Sequence, residues 1–462
     1  MQRHNILIKE ALALPVQPMM MYRRLDMISH LRPIWVVLIA LLALAPFSAT
    51  RAADTLRVEQ VTTDVLQHSD RIAAARYMEE AAKVKIGAGS AWDDPMLMLG
   101  LQNVPTSFDL KMDPMTMKMI GLSQNIPLAG QKGLATRASR EEAQAASEDR
   151  MTMQVEEVAS ARSAYADLYY RSAALRDLAS QYDLLQQIVE ATRSQLIVNQ
   201  SSQEEYLAAQ AEMWRMQSQL LMADHDVSEK WLLLQVMRGM PQDSIMPPLE
   251  EPLLDSIPRT PDGWIALAKS NYPALKKLAS QSRQYGFEAQ ASNRMRWPML
   301  NLQASYGIRS GNDAMTGMPL DNMYSFQAGI SLPLFSAHQQ NKMARSMQAM
   351  RTSSNYESSR MAAEIEARIR TLHEIAVHSV SSVALYRNQI IPADEDALNG
   401  AMAGYAANRM PLTSLLSYAL NVYRDRIAAR QLANQLAQAM TEISKYIGDP
   451  SAYAAVETPD KN

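Results

Sequence analysis

The sequence predicts a mainly α-helical fold with a small β part. Long antiparallel helices form a coiled-coil barrel, and four transmembrane β-strands per chain, tandem-duplicated, close a 12-stranded barrel as a trimer. Three observations predict it. Two stretches of nearly 70 residues, about 131–198 and 336–407, carry little of the Gly and Pro punctuation of a globular fold, Pro392 aside. Two pairs of roughly ten-residue segments alternate apolar and polar side chains. The same landmarks recur in the same order about 200 residues apart.

The leader comes first. Residues 21–53 read as a secretory signal peptide, with Arg23, Arg24 and Arg32 as the basic region and Ile34–Ala45 as the apolar run. Thr50-Arg51-Ala52 supplies small residues for cleavage near Ala52, and Met21 or Met27 could initiate the chain. The apolar run is short for a membrane span, and an uncleaved anchor is the alternative. Residues 1–52 are set aside as leader and signal peptide. They carry six Lys or Arg against two Asp or Glu, so the rest of the chain carries −7 where the whole carries −3. That mildly acidic balance argues against nucleic-acid binding. Composition suits a folded protein, with 47% apolar and 20% charged residues. There are 32 Met and no Cys, which excludes disulfides, iron–sulfur clusters, Cys zinc sites, thiol nucleophiles and a lipid-modified N-terminal Cys.

The repeat is weak but ordered. His68-Ser69-Asp70 aligns with Asn271-Tyr272-Pro273, and Asp94-Pro95-Met96-Leu97 with Trp297-Pro298-Met299-Leu300, both at an offset of 203. Ile126-Pro127-Leu128 aligns with Leu332-Pro333-Leu334 at 206, and Val198-Asn199-Gln200 with Ala407-Asn408-Arg409 at 209. Duplication of a whole domain fits this spacing. The domains are read as 53–240, a proline-rich linker 241–260, a second repeat 261–447, and a tail 448–462. Each repeat runs short helix (about 55–88, 261–294), two strands, long helix, then a second helix (about 202–238, 411–447). Rods of ~100 Å pack lengthwise against others.

The strands decide the class. The first pair, around 96–103 and 117–126, alternates less cleanly than the second, at 299–308 and 324–332. Leu300, Leu302, Ala304, Tyr306 and Ile308 share one parity, and Tyr324, Phe326, Ala328, Ile330 and Leu332 share another. These parities would face lipid and their partners water, although alternation alone also fits a soluble two-sided sheet. Backbone groups in hydrocarbon must all be paired, so a membrane sheet must close. Four strands cannot close, whereas three chains supply twelve. Pro127 and Pro333 then mark the barrel-to-helix junction, because proline ends a ladder and presets φ for a helix start.

These pieces resemble the TolC family of outer-membrane efflux channels, over about 55–447. Ser123-Gln124-Asn125-Ile126-Pro127-Leu128, Ser331-Leu332-Pro333-Leu334-Phe335, and Ala403 to Arg409 followed by Leu415-Leu416 carry the likeness. It implies a homotrimeric α/β conduit in the outer membrane, in contact with its lipid and reaching into the periplasm. There it meets a periplasmic adaptor (membrane fusion protein) and an inner-membrane RND pump. The periplasmic tip and aperture would be formed by Asn199, Ser201, Asn408, Arg409 and Thr413, with Arg409 matching a basic residue that ties the aperture shut. Some relatives carry inner-face aspartates near the second tip, where this chain has Thr413 and Leu416. The Met richness resembles the heavy-metal branch, and an export cargo of copper or silver follows from it.

Thioethers are soft ligands that select Cu(I). Met112, Met115, Met315 and Met318, in or beside the two strand loops, are the candidate metal ligands. The competing reading is packing: Met115, Met117 and Met119 share a parity that could face lipid, and Met343, Met347 and Met350 form a helical stripe. His373 and His378 are one residue too far apart for a zinc-protease pair, lying about 140° apart on a helix. No catalytic constellation or cofactor motif is present, so the expectation is a passive conduit, not an enzyme, without a cofactor. Drug or solvent efflux and type I secretion use the same architecture. A soluble periplasmic coiled-coil adaptor or scaffold is the alternative of another class.

Overall fold

The computed structural model describes residues 55–128, 130–252, 260–313, 315–335 and 338–448. The signal peptide, its cleavage near Ala52, part of the linker and the tail beyond 448 lie outside the described residues.

The first half holds α1 (Val58–His68), α2 (Asp70–Ser90), β1 (Met96–Gln102), β2 (Met117–Pro127), α3 (Gln131–Ile197) and α4 (Gln203–Arg238). The second holds α5 (Pro261–Asn271), α6 (Pro273–Arg294), β3 (Met299–Arg309), β4 (Met323–Ile330), α7 (Gln340–Leu385), a π-helical turn (Tyr386–Ile390), α8 (Ile391–Ala406) and α9 (Leu412–Ile447). The fold is mainly helical with one small antiparallel sheet, as the sequence predicts. The 67 residues of α3 make a rod of ~100 Å.

Two details differ from expectation. Each "short helix" is a pair, broken at Ser69 and at Tyr272. Both break residues are extended, with ψ of 119° and 118°. Different chemistry produces the same bend. The Ser69 hydroxyl accepts from the Ile72 amide and caps α2, whereas Pro273 forbids helical backbone at the residue before it. The second difference is at 336–407, which is one helix by pattern but two here. Pro392 offers no N–H and clashes with the carbonyl four residues back. A single π turn absorbs the misfit, with the Ile391 amide reaching back to the Tyr386 carbonyl.

The sheet runs β1-β2-β3-β4, every neighbour antiparallel. The helices continue the same lateral order. α2 packs on α3, α3 on α6, and α6 on α7. Since α2 leads into β1, α3 leaves β2, α6 leads into β3 and α7 leaves β4, one sheet order dictates the other. α6 fits between its two neighbours because its buried positions include Ser280, Ser282, Gly286, Ala289, Ala291 and Ser292, all small. Ser282 bonds to Asn355 of α7, and Gly286 lies beside Arg351 of α7. Toward the far end α3 packs on α4 and α9, and α9 on α8.

Burial divides by height. Beside the second helix pair, Trp264, Ile265, Leu372, Ile369 and Ile443 pack together. Around α1, Val61, Val65, Leu168, Trp231 and Leu234 form another core, and the Tyr165 hydroxyl lies 2.8 and 2.7 Å from the Leu56 and Glu250 carbonyls. Leu56 bridges Leu249, so the start of the described chain pins the middle of the linker. Gly239 closes α4 at φ 66°, where an added Cβ would lie 2.7 Å from the His68 Cβ. Only glycine satisfies both demands.

Candidate functional site

The sheet has two chemically distinct faces. In-register rows place Leu97, Leu122, Ala304 and Phe326 side by side, then Leu99, Ile120, Tyr306 and Tyr324. With Leu302, Ile308 and Ile330 they make an apolar face that is largely exposed, Phe326 at 80% and Leu99 at 72%. Its rows run from Leu300 to Ile308, ~27 Å of strand, or ~20 Å of height at a 40° tilt. Trp92 and Trp297 are exposed just before β1 and β3, while the rings of Tyr306 and Tyr324 lie 5.0 Å apart, tilted by 44°, toward the opposite end. Aromatic residues thus bracket the apolar band. Tyr306 and Tyr324 are assigned to the apolar parity from sequence, but their pairing with each other, opposite the tryptophans, depends on register.

The opposite face is polar. Asn301 donates to Ser123 at 2.9 Å and to Asn125 at 2.7 Å, linking β3 to β2. Gln303, Ser305, Ser325 and Gln327 continue it. This face is the more enclosed: Gly121, Ser305 and Gly307 are buried. It also holds methionines. Met117 and Met119 share parity with Gly121 and Ser123, not with Ile120 and Leu122. The competing reading, in which they join the apolar face, therefore does not hold. Pairing register, invisible in a single strand, assigns them to the polar side.

The loop candidates sit beyond the strands. Met112 and Met115 lie on the β1–β2 loop, and Met315 and Met318 on the β3–β4 loop, all four exposed. Met112 Sδ accepts from the Ser107 hydroxyl at 3.4 Å. The loops approach each other at Gly311 and Lys111. Among the described residues no cluster of His, Asp or Glu could hold a metal ion. Met343 and Met350 lie exposed on α7, an edge of the helical layer.

Pro127 is the last residue of β2, paired with Met299. Pro333 lies three residues past β4, after Ser331, whose amide donates to the Met299 carbonyl at 2.9 Å. Both prolines stand between strand and helix, but neither starts the helix. Gly130, at φ 71°, caps α3, and α7 begins at Gln340.

The two helix tips share one geometry. Asn199 and Asn408 have φ of 57° and 58°. The amide of the next residue reaches five back: Gln200 to the Gln195 carbonyl at 2.8 Å, Arg409 to the Gly404 carbonyl at 2.9 Å. Asparagine tolerates this left-handed turn, which satisfies the last helical carbonyls. After the first tip, Ser202 and Glu205 exchange bonds across the N-terminus of α4 at 3.1 and 3.2 Å, and Ser201 donates to Glu205 at 2.6 Å. After the second, Pro411 precedes α9. Tyr405 and Thr192 bond at 2.9 Å in the buried interface between the tips, and Gln195 donates to the Tyr405 carbonyl at 3.1 Å. Arg409 and Thr413 are exposed, and Arg409 makes no ion pair among the described residues. Leu416 behaves differently. It is 7% exposed, packed with Leu185, Ile188 and Ala209, so it cannot line an aperture.

Above the second tip, Asp394 on α8 faces Asp425 on α9. The neighbouring carboxyl, with partial burial, pushes Asp425 up to about 6. Beside the pair, Arg426 binds Glu395 at 2.5 Å, and Arg430 binds Asp177 at 3.1 Å.

No protein-family model and no curated protein matches the chain. Solved structures do. The outer membrane protein VceC of Vibrio cholerae shares the fold at TM-score 0.71 and 15% identity, over 85% of this chain and 96% of that one. The CmeC outer membrane channel of Campylobacter jejuni gives 0.69 and 14%, over 86% and 88%. The MtrE outer membrane channel of Neisseria gonorrhoeae, in its open state, gives 0.68 and 14%, over 85% and 89%. The likeness spans the sheet-plus-long-helix architecture, and the chain has the fold of these channels.

Proposed function

We propose that the chain is a TolC-family outer-membrane channel subunit, acting as a homotrimer in a tripartite RND-type efflux system and exporting heavy-metal cations such as copper or silver. One observation carries the channel reading: the unfinished edges of sheet and helical layer fall on the same two sides. Among the described residues, β1 and β4 each lack a partner on one side. The helices continuous with them, α2 and α7, leave Tyr77, Met78, Val84, Met343, Met350 and Tyr356 exposed. On α4, Leu207, Trp214 and Leu221 are exposed at seven-residue spacing, a coiled-coil seam without its partner. A neighbouring copy placed edge to edge would extend the ladder and cover both helical edges together. An apolar face this exposed then requires hydrocarbon, and hydrocarbon requires closure.

The tips fit the role of docking point for a periplasmic adaptor, and the pump behind it supplies the energy. Support for a metal cargo is the thioether-rich, thiol-free composition together with methionine on the polar wall.

Membrane fractionation with cross-linking tests the channel. Recovery in the outer membrane as a trimer is expected, and a monomer in the soluble periplasm refutes it. Deletion of the gene, with growth scored on copper and silver, tests the cargo. Unchanged tolerance with raised drug sensitivity would transfer the reading to drug efflux.

A further inference from the structure

Three methionines of the polar face are placed around one glycine. Gly307 on β3 pairs with Met119 on β2 and with Met323 on β4. It therefore stands between two thioether side chains on one face and contributes none itself. Met117, two residues from Met119 on the same strand, fills that gap. Its sulfur lies only 2.5 Å from where a Cβ at position 307 would sit. Met117 is 7% exposed, whereas Met323 is 41% exposed, so the cluster has an enclosed floor and an open side. Neighbouring strands lie ~4.8 Å apart, which puts Met119 and Met323 ~10 Å apart across the glycine. Two flexible unbranched side chains span that distance onto the sulfur between them.

We propose that Met117, Met119 and Met323 form a three-thioether site for a soft monovalent cation, Cu(I) or Ag(I), on the water-facing wall of the barrel. Thioether sulfur holds such ions without a charge and disfavours Mg²⁺ and Ca²⁺, which demand oxygen. Arg309, a cation on the same face, is in register with Met117, and its Nε donates to the Asp321 carbonyl at 2.6 Å. A neutral donor set open on one side suits an ion that must leave again. The purpose of the site rests on the metal-export reading; its existence does not.

The test is silver nitrate titrated calorimetrically, in chloride-free buffer, into the purified full-length protein in detergent. Saturable silver binding is expected, undisturbed by excess Mg²⁺. It should persist in the loop variant M112L/M315L/M318L and be lost in M117L/M119L/M323L, with circular dichroism checking the fold of each. A second variant keeps all three sulfurs. Gly307→Ala forces the Met117 sulfur aside and should weaken silver binding by about tenfold or more. Equal binding by the wild type and the polar-face variant overturns the site, and so does unaltered affinity in Gly307→Ala. Silver binding that depends on the three methionines, in cells whose metal tolerance ignores the protein, would sink the export reading and leave the site standing. Tolerance that needs the protein, with binding indifferent to these residues, would do the reverse.

Discussion

Phe326 and Gln327 are adjacent in β4, yet a strand's period of two sends them to opposite faces. Phe326 lies in the middle row of the apolar face, in register with Ala304 and beyond it Leu122 and Leu97. Gln327 is in register with Gln303, Ser123 and Met96 on the polar face. Replacing each with arginine therefore asks which face meets hydrocarbon. Arginine at the midplane of a barrel wall costs about 2–4 kcal/mol, so Phe326→Arg should cost that much in each chain and about 6–12 kcal/mol over three copies. Gln327→Arg adds a charge in water and should stay within about 0.5 kcal/mol of wild type. Urea titrations of folding into phospholipid vesicles, followed by tryptophan fluorescence, read the difference. Equal destabilisation by the two variants would refute the two-faced wall. A Phe326→Arg protein that folds as well as wild type would place the sheet in water.

Three further predictions concern the helices. Asp425 has a folded-state pKa of about 6, above its ordinary 3.8, because Asp394 is beside it. The folded chain therefore binds the extra proton, and the stabilisation is complete below pH 3.8 and is lost as the pH rises through about 6. Asp425→Asn should be more stable than wild type by about 1 kcal/mol at pH 7.5 after screening, and equal to it near pH 4. Parallel pH–stability curves for the two proteins would rule this out. Glu79, held by Lys83 at 2.6 Å and Arg150 at 2.5 Å, has its carboxyl lowered to about 2, the Lys83 bond contributing most. Its contribution is present above pH 4.5 and is lost as the pH falls toward 2. Glu79→Gln should cost about 1–2 kcal/mol at pH 7, by chemical denaturation, and flatten the acid limb of the stability curve. On the proposed channel reading, with Arg409 tying the aperture, Arg409→Ala should raise leak in planar bilayers, whereas unchanged conductance would leave Arg409 as a solvated turn charge.

Reading from sequence worked best where the signal is local and periodic. Alternation over 299–308 and the unpunctuated run over 131–198 each name an element without reference to anything distant. Asn199 and Asn408 could be aligned as equivalent positions, and their left-handed turns are what asparagine tolerates. Reading failed where two segments had to be placed against each other. Met117 and Met119 look apolar within their own strand, and only pairing with Arg309 and Gly307 reveals which side they occupy. Leu416 sits near a tip in sequence but points into the four-helix core. The break before Pro392 was visible as a proline, but its repair by a π turn was not, because that depends on how α7 and α8 must both stay packed on α9.

The sequence by itself determined the class of the fold and the reason for it. Long runs without helix breakers can only be rods, and short alternating segments can only be two-faced strands, because backbone geometry fixes both periods. Tertiary structure alone decided the order β1-β2-β3-β4, the matching order of the helices, and the glycine around which Met117, Met119 and Met323 are placed. Those follow from register, and register is a relation between strands that no single strand contains.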